Sequence, residues 1–324
     1  MGSADQRFQI LALDGGGVKA LFTAHLLAHL EDDLDVDIRD CFDLFAGTSA
    51  GGIVALALGA GLRPAEIVEH YANLVEVVFP RGRRRWHHLP RRMVRPTYSA
   101  EPLRDALAAV LGDRLLGDSE RRLIVPAWDV QRGCVHIFKT PHDERYKRDW
   151  KVPMVDVAMA TSAAPTFLPA ANVNAQRLID GGVWANNPSP VAIAEAVSTL
   201  QIPLHAIRVL NVGTTDEVAD HPSKLDEGGL GSWAKHVTGL VITASSRGNQ
   251  GLAQHLLADG NYQRFDAHVA KGRYRLDAAD PGELAAIASS EARRLGPTFT
   301  ETFADHVAAP YQPLHSRSVR KDVA

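Results

Sequence analysis

Two glycine-framed turns near the start of the chain contain the residue types that acyl transfer requires. The turn at Gly47–Gly51 has the pattern G-x-S-x-G around Ser49, in which small residues permit a strained strand-to-helix turn that exposes a hydroxyl. The turn at Asp14–Lys19 offers successive backbone N–H groups at a predicted helix N-terminus, where an anion binds well. Together they predict a nucleophile, Ser49, and an oxyanion hole. The predicted oxyanion donors are Gly15, Gly16 and Gly17.

The glycine turn at Asp14–Lys19 also has to be compared with two nucleotide-binding loops. A P-loop is excluded because no G-K-[ST] follows at the required spacing, and a Rossmann turn would need glycine at position 20, which is alanine. An oxyanion hole is favoured by the serine nearby. For Lys19 the sequence leaves three interpretations open: a contact with phosphate, a pair with Asp14, or a solvated side chain.

Asp180 is the candidate base. The triplet Asp180-Gly181-Gly182 follows a predicted strand, and its two glycines leave room for a substrate or another backbone segment. An Asp-Gly turn is the ordinary interpretation, but a serine nucleophile needs a base within hydrogen-bond reach. The rival interpretation is an α/β-hydrolase triad, which would use a histidine that follows the aspartate. The histidines in that position are His255, His268, His306 and His315.

A basic segment interrupts an otherwise acidic chain. Residues 80–100 contain seven arginines and no acidic residue, whereas the whole chain has a net charge of −3. A solvated loop is the ordinary interpretation. The functional ones are attraction to anionic lipid headgroups, at about 1 kcal/mol per basic residue, or contact with a phosphate-bearing ligand. Nucleic acid is disfavoured, because the remainder is acidic and has no recognition module. The arginines are Arg81, Arg83, Arg84, Arg85, Arg91, Arg92 and Arg95.

The elements that must position these residues alternate between strands and helices. Strands are predicted at Phe8–Asp14, Asp40–Gly47, Arg122–Val130, Cys134–Lys139, Ala171–Ile179, Ile207–Gly213 and Tyr262–His268. Helices are predicted at Val18–Asp33, Ala50–Gly59, Pro64–Phe79, Met154–Ala163 and Pro190–Leu200, with a further helix capped by Ser99 that ends at Leu111. Trp233–Asp259 is predicted to be mainly helical, and one or two helices are predicted after Glu283. The alternation predicts an α/β fold with a largely parallel sheet. We expect one domain over residues 1–324, with a core at about 8–213, an arginine-rich lid or insertion at about 80–97 and a C-terminal helical part at about 232–324.

The composition is that of a globular protein in a reducing compartment. Of 324 residues, 45% are hydrophobic and 23% charged, and there are only two cysteines, Cys41 and Cys134. No apolar stretch reaches the roughly 18 residues of a membrane-spanning helix, and the polar N-terminus lacks the apolar core of a signal peptide. These features predict a cytoplasmic protein, and neither cysteine has neighbours that would suggest a metal site.

The combined motifs resemble those of the patatin-like phospholipases. The family pattern is D-G-G-G-x-[KR]-G for the oxyanion loop, G-x-S-x-G for the nucleophile and D-G-[GA] for the base. The matching residues are Asp14–Ala20, with alanine where the last glycine is usual, Gly47–Gly51 and Asp180–Gly182. Two further segments, Thr161–Phe167 and Asn186–Pro188, are similar to family segments on either side of the aspartate.

The resemblance implies a three-layer α/β/α patatin-like fold and a lipid acyl hydrolase that works without a metal or other cofactor. Ser49 would be the nucleophile and Asp180 its direct base, with no histidine required. The supporting motif residues would be Asp14, Lys19, Gly47, Gly51, Gly181 and Gly182.

Within the family, the chain is most similar to the compact bacterial phospholipases of cyclic-oligonucleotide antiphage systems, through the stretches Phe8–Leu27, Phe42–Gly61 and Arg95–Leu107. This implies activation by a cyclic dinucleotide such as cyclic GMP-AMP (cGAMP) and action on phospholipid at the inner face of the cell membrane. The arginine-rich segment is the candidate contact for the activator or the membrane. The oligomeric state stays open, a homo-oligomer included. A non-catalytic module that senses a nucleotide or a lipid remains the alternative from a different functional class.

Overall fold

The computed structural model describes residues 7–80, 95–217, 229, 233, 237–270 and 272–316. The strands are β1 (Phe8–Leu13), β2 (Leu44–Gly47), β3 (Arg122–Asp129), β4 (Cys134–Lys139), β5 (Ala171–Val173), β6 (Gln176–Asp180), β7 (Ile207–Val212), β8 (Asp216–Glu217), β9 (Tyr262–Phe265) and β10 (His268–Val269). The helices are α1 (Ala20–Leu34), α2 (Ala50–Gly59), α3 (Pro64–Val78), α4 (Glu101–Leu111), α5 (Met154–Thr161), α6 (Gly182–Ala185), α7 (Ser189–Ser198), α8 (Val237–Leu256) and α9 (Pro281–Thr302).

A mixed sheet forms the centre of the molecule. Its strand order among the described residues is β5-β6-β3-β2-β1-β7-β9, with β4 also paired to β3. The run β3-β2-β1-β7-β9 is parallel, whereas β4 and β6 pair antiparallel to β3, and β5 antiparallel to β6. Strands β8 and β10 form a separate small parallel pair. The predicted α/β fold with a largely parallel sheet is confirmed.

Helices cover both faces of this sheet, so β1 is buried along its whole length. Leu11 and Leu13 face one core, to which α1, α2, α3, α4, α5 and α9 contribute. The alternate residues Phe8, Ile10 and Ala12 face a second core, to which α7 and α8 contribute. The period-2 alternation of a strand therefore divides β1 between two helical layers and gives the three-layer arrangement.

The edge of β3 explains how two distant motifs come together. Strand β4 pairs along one edge of β3, so β2 and β6 occupy the other edge one after the other. Ala46 of β2 is opposite Ile124, and Asp180 of β6 is opposite Ala127. Since β2 runs parallel to β3 and β6 runs against it, the carboxyl ends of β2 and β6 point towards each other.

Two predicted elements differ from those observed. The single strand predicted at Ala171–Ile179 is a hairpin, whose turn residues Asn174 and Ala175 have φ of 49° and 62°. Its Asn-Ala turn lacks the glycine by which such hairpins are usually recognised. Strand β2 begins at Leu44, not Asp40, because hydrogen-bonded turns precede it. The short strand predicted at Tyr262–His268 is observed as β9, which pairs with β7 in the main sheet.

Candidate active site

Ser49 lies on the sharp turn between β2 and α2. Its φ of 55° and ψ of −125° are unusual for a residue with a side chain, as expected of a nucleophile held at a strained turn. A Cβ at Gly47 would lie 2.3 Å from the Gly51 carbonyl oxygen, and one at Gly51 would lie 2.5 Å from that of Leu13. The G-x-S-x-G spacing is therefore required by backbone segments that approach too closely for any side chain.

Asp180 accepts a hydrogen bond directly from the Ser49 hydroxyl, with 2.6 Å between Oγ and Oδ2. Its other oxygen, Oδ1, accepts the Gly182 N–H at 2.7 Å, while Gly181 packs against the Pro126 carbonyl group. The carboxyl is 6% exposed. Burial raises its pKa from 3.8 to about 6, against the two hydrogen bonds, which lower it. The carboxylate is therefore a stronger base than an ordinary aspartate.

The segment that contains Thr161 supports both members of this pair. The Ser49 N–H donates to Thr161 Oγ1 at 2.9 Å, and the Thr161 hydroxyl donates to the Pro126 carbonyl at 2.7 Å. Two residues later, the Ala163 carbonyl accepts the Asp180 N–H at 3.1 Å. The sequence marked this segment only through its resemblance to a family segment. The contacts show what it does: it fixes the backbone beneath the serine and the aspartate.

The glycine loop lies beside Ser49, but its N–H groups are not equivalent. The Gly15 N–H donates to the Asn186 carbonyl at 3.0 Å, so it is not available to a ligand in this conformation. Within the part of the chain that the structure describes, the N–H groups of Gly16 and Gly17 have no hydrogen-bond acceptor. The Gly17 carbonyl accepts the Tyr71 hydroxyl at 2.9 Å, which fixes the loop. Of the three predicted oxyanion donors, Gly16 and Gly17 therefore have an N–H group that is available to a ligand in this conformation.

Asp14 fixes the start of the glycine loop through contacts of its side chain. Its buried carboxylate accepts hydrogen bonds from Asn211 at 2.7 Å and Ser246 at 2.8 Å, and pairs with Arg264 at 2.9 Å. Burial alone would lower the pKa of Arg264, but the carboxylates of Asp14 and Asp266 raise it. Lys19 Nζ donates to the Thr215 carbonyl at 3.4 Å, a contact that none of the three interpretations of Lys19 included.

An apolar cleft of about 640 Å³, its open mouth included, lies over Ser49 and Asp180. Gly16 and Gly17 line it, as does Ser162, whose buried hydroxyl has no hydrogen-bond partner among the described residues. A nucleophile and backbone donors inside an otherwise apolar cleft suit an ester with a long hydrocarbon chain. The apolar lining consists of Ile53, Tyr71, Leu74, Phe79, Leu103, Phe167, Leu168, Ile242 and Leu276.

The late histidines that a triad would need lie away from Ser49. His306 Nε2 is 2.7 Å from the carboxylate of Asp43, which precedes β2, whereas Ser49 follows that strand. His255 and His268 are exposed, and His315 lies beside the ring of Trp150. Over the described ranges, no histidine lines the cleft, and no group of three metal-ligating side chains occurs.

Six of the seven arginines predicted as a contact, from Arg81 to Arg92, lie outside the described residues, and Arg95 is exposed. One of the two residues that flank the arginine-rich segment lies at the cleft. Phe79 lines it, and its ring contacts that of Tyr98 with 5.0 Å between centroids. The residues on either side of the segment are therefore in contact with each other, and the one that precedes it lines the cleft. None of the described helices is long and apolar enough to span a bilayer.

Comparison with known proteins gives a family match and several similar proteins. Residues 11–193, which include Ser49 and Asp180, match the model of the family described as patatin-like phospholipase. A Vibrio cholerae protein named cGAMP-activated phospholipase is 33% identical over 315 residues, covering 87% of this chain and 88% of that protein. A protein of the same name from Escherichia coli is 32% identical over 300 residues, covering 86% and 82%.

Among solved structures, VipD from Legionella pneumophila aligns with a TM-score of 0.46 and 13% identity, over 91% of this chain and 68% of that one. The family model spans more than half of the chain, and the named relatives extend over most of the rest. The chain therefore belongs to the patatin-like phospholipases, a family of hydrolases.

Proposed function

We propose that the protein is a phospholipase A-type lipid acyl hydrolase that cleaves membrane glycerophospholipids in the cytoplasm, at the inner face of the cell membrane. A cyclic dinucleotide such as cGAMP activates it in antiphage defence. The observation that best supports hydrolase activity is the direct hydrogen bond between Ser49 and Asp180 at the base of an apolar cleft. The names of the Vibrio and Escherichia relatives support the activator.

In the first half-reaction, Ser49 Oγ attacks the carbonyl carbon of the ester while its proton passes to Asp180 Oδ2. The carbonyl electrons move onto oxygen, and the N–H groups of Gly16 and Gly17 stabilise that charge, at about 3–4 kcal/mol for one well-placed donor. When the tetrahedral intermediate collapses, the ester C–O bond breaks. The departing alkoxide takes the proton from Asp180 and leaves as a lysophospholipid, with the acyl group on Ser49.

In the second half-reaction, Asp180 accepts a proton from water, and the hydroxyl attacks the acyl-enzyme. Collapse returns the proton to Ser49 and releases the fatty acid. A shuttling base works best when its pKa lies near the operating pH. The rise of the Asp180 pKa to about 6 by burial brings the carboxyl closer to that condition.

A dyad is favoured over a triad by the contact itself. The Asp180 carboxylate already occupies the position beside Ser49 Oγ in which a triad places its histidine. A non-catalytic sensing module would have no need of a strained serine that is hydrogen-bonded to a buried base. Hydrolysis by the purified protein separates the enzyme from that module.

Control by an anionic ligand is the second part of the proposal. In sequence, the arginine-rich segment at about 80–97 lies between Phe79, which lines the cleft, and Tyr98, whose ring contacts that of Phe79. Its arginines would bind an anionic activator or the membrane surface and act as a lid. A ligand shifts such an equilibrium only through different affinities for the two states.

The experiment is fatty-acid release from phospholipid vesicles, measured with and without a panel of cyclic dinucleotides. We expect little release without ligand, strong release with one of the dinucleotides, and none from Ser49→Ala. Ser198→Ala, at an exposed serine of α7, is the matched control. A fluorophosphonate probe should label the wild-type protein at Ser49. Full activity without ligand, unchanged by every dinucleotide, would disprove the activation while leaving the hydrolase intact.

The arginines are tested separately by combining Arg83→Ala, Arg84→Ala and Arg85→Ala. This variant should respond weakly to the dinucleotide, whereas Arg293→Ala with Arg294→Ala, which removes charge from the exposed surface of α9, should respond normally. If activation survives the triple replacement, the activator binds elsewhere.

A further inference from the structure

Ser162 lines the cleft and has no part in the mechanism described above. Four other polar side chains line the cleft, and each has a hydrogen-bond partner among the described residues: Ser49 donates to Asp180, and Tyr71 and Asn186 donate to carbonyl groups of the glycine loop. The buried hydroxyl of Ser162 has none in the part of the chain that the structure describes. A buried hydroxyl without a partner is unfavourable, and a ligand that offers a polar atom would remove that cost.

The position of Ser162 is set by the segment that supports the dyad. The residue before it, Thr161, accepts the Ser49 N–H, and the residue after it, Ala163, accepts the Asp180 N–H. The N–H and the carbonyl of Ser162 are both hydrogen-bonded within the same segment, and the residue is 8% exposed. Ser162 is therefore held beside both members of the dyad, with little access to bulk water.

The chemistry of the ester indicates which atom this hydroxyl would bind. An ester has two oxygens at its reacting carbon, and in the proposed mechanism the carbonyl oxygen binds to Gly16 and Gly17. The other oxygen is that of the leaving alcohol, which takes a proton from Asp180 as the ester bond breaks. The water that later hydrolyses the acyl-enzyme gives a proton to Asp180 from the same position. A hydroxyl beside Asp180 in a largely apolar cleft suits an oxygen at this position.

We propose that the Ser162 hydroxyl binds the oxygen that exchanges a proton with Asp180, which belongs to the leaving alcohol in the first half-reaction and to the attacking water in the second. In the first, the hydroxyl donates a hydrogen bond to the alkoxy oxygen as the C–O bond breaks and negative charge develops there. In the second, it accepts a hydrogen bond from the water, whose other proton passes to Asp180 while its oxygen bonds to the acyl carbon. Ser162 itself neither gains nor loses a proton. The inference rests on the proposed hydrolase and adds a third side chain to its dyad.

The test compares esters that have the same acyl chain and different leaving alcohols, under activating conditions. For an alkyl ester, Ser162→Ala should lower kcat/KM about three- to tenfold, the effect of losing one hydrogen bond. For a p-nitrophenyl ester, whose leaving oxygen is stable as an anion, kcat/KM should stay close to the wild-type value. The initial burst of nitrophenolate should also keep its rate, whereas the steady-state rate that follows should fall because the attack of water is slowed.

The matched control is Ser189→Ala, which removes another buried serine hydroxyl, on α7, from a residue that does not line the cleft. It should keep wild-type kinetics with both esters. Thermal melting provides a second readout. Ser162→Ala should melt no earlier than the wild type, because it removes a hydroxyl that the fold leaves without a partner. A serine with a purely structural role would instead melt earlier when replaced.

The possible outcomes separate this inference from the proposed function. Wild-type kinetics of Ser162→Ala with both esters would overturn the inference and leave the hydrolase standing. Equal losses of kcat/KM with the two esters would also overturn it, because the hydroxyl would then act on the dyad and not on the leaving oxygen. If the wild-type protein hydrolyses no ester under any condition, the proposed function fails and the inference fails with it.

Discussion

Replacing Asp180 by asparagine should remove hydrolysis and at the same time make the folded protein more stable. The amide keeps an oxygen for the Gly182 N–H and can donate to Ser49 Oγ, so the local hydrogen bonds can be retained. It cannot accept the proton of the serine. We therefore expect kcat to fall at least about a thousandfold, within the range that general-base catalysis contributes.

The stability gain follows from the pKa of the buried carboxyl. Asp180 loses its proton near pH 3.8 when unfolded and near pH 6 when folded. Between these values the folded protein keeps a proton that the unfolded chain has lost, so the wild-type free energy of unfolding decreases as pH rises. The total is about 3 kcal/mol, because one pKa unit is worth about 1.4 kcal/mol. The amide of the Asp180→Asn variant does not titrate, so that variant avoids this loss.

Chemical denaturation of both proteins from pH 3.5 to 8 measures this difference. The advantage of Asp180→Asn should be small below pH 4, increase up to about pH 6 and stay constant above it. In the wild type, the acid limb of kcat/KM should fall with a midpoint near pH 6. A stability difference that does not change with pH, or an acid limb near pH 4, would refute the assignment of a raised pKa to Asp180.

The remaining predictions concern the support of the serine. Gly47→Ala should lower the free energy of unfolding by about 1–3 kcal/mol or more, because its Cβ would overlap the Gly51 carbonyl, and unchanged thermal melting would contradict this. Thr161→Val, which leaves the Ser49 N–H without its acceptor, should lower kcat about tenfold with KM and fold preserved; an unchanged kcat would show that this support is dispensable. His306→Gln should keep wild-type hydrolysis while melting earlier, and a loss as large as that of Ser49→Ala would restore the triad.

The parts of the site that the sequence predicts are those set by neighbouring residues. Helix α2 begins and ends where predicted, at Ala50 and Gly59, since the turn that starts it is encoded by the glycines on either side of Ser49. Asp180 likewise ends a strand just before two glycines, as its triplet indicates. In both cases the signal lies within five residues, and the small side chains have a local steric cause.

The parts that the sequence does not predict depend on residues far apart in the chain. The Gly15 N–H is not available as an oxyanion donor because it is hydrogen-bonded to the carbonyl of Asn186. The Ser49 N–H is likewise hydrogen-bonded to Thr161. No pattern in either motif shows that these donors are already used. The raised pKa of Asp180 has the same origin, since burial depends on everything that packs around the carboxyl.

The last third of the chain supports the glycine loop for a related reason. Asp14, at the base of the glycine loop, is a buried carboxylate whose ion-pair partner is Arg264, on β9. Removing one partner of a buried ion pair costs about 3–5 kcal/mol, because the other charge is left uncompensated. A core confined to residues 8–213 would leave Asp14 without this cation. The position of Gly16 and Gly17 beside Ser49 therefore depends on a strand some 250 residues away in sequence.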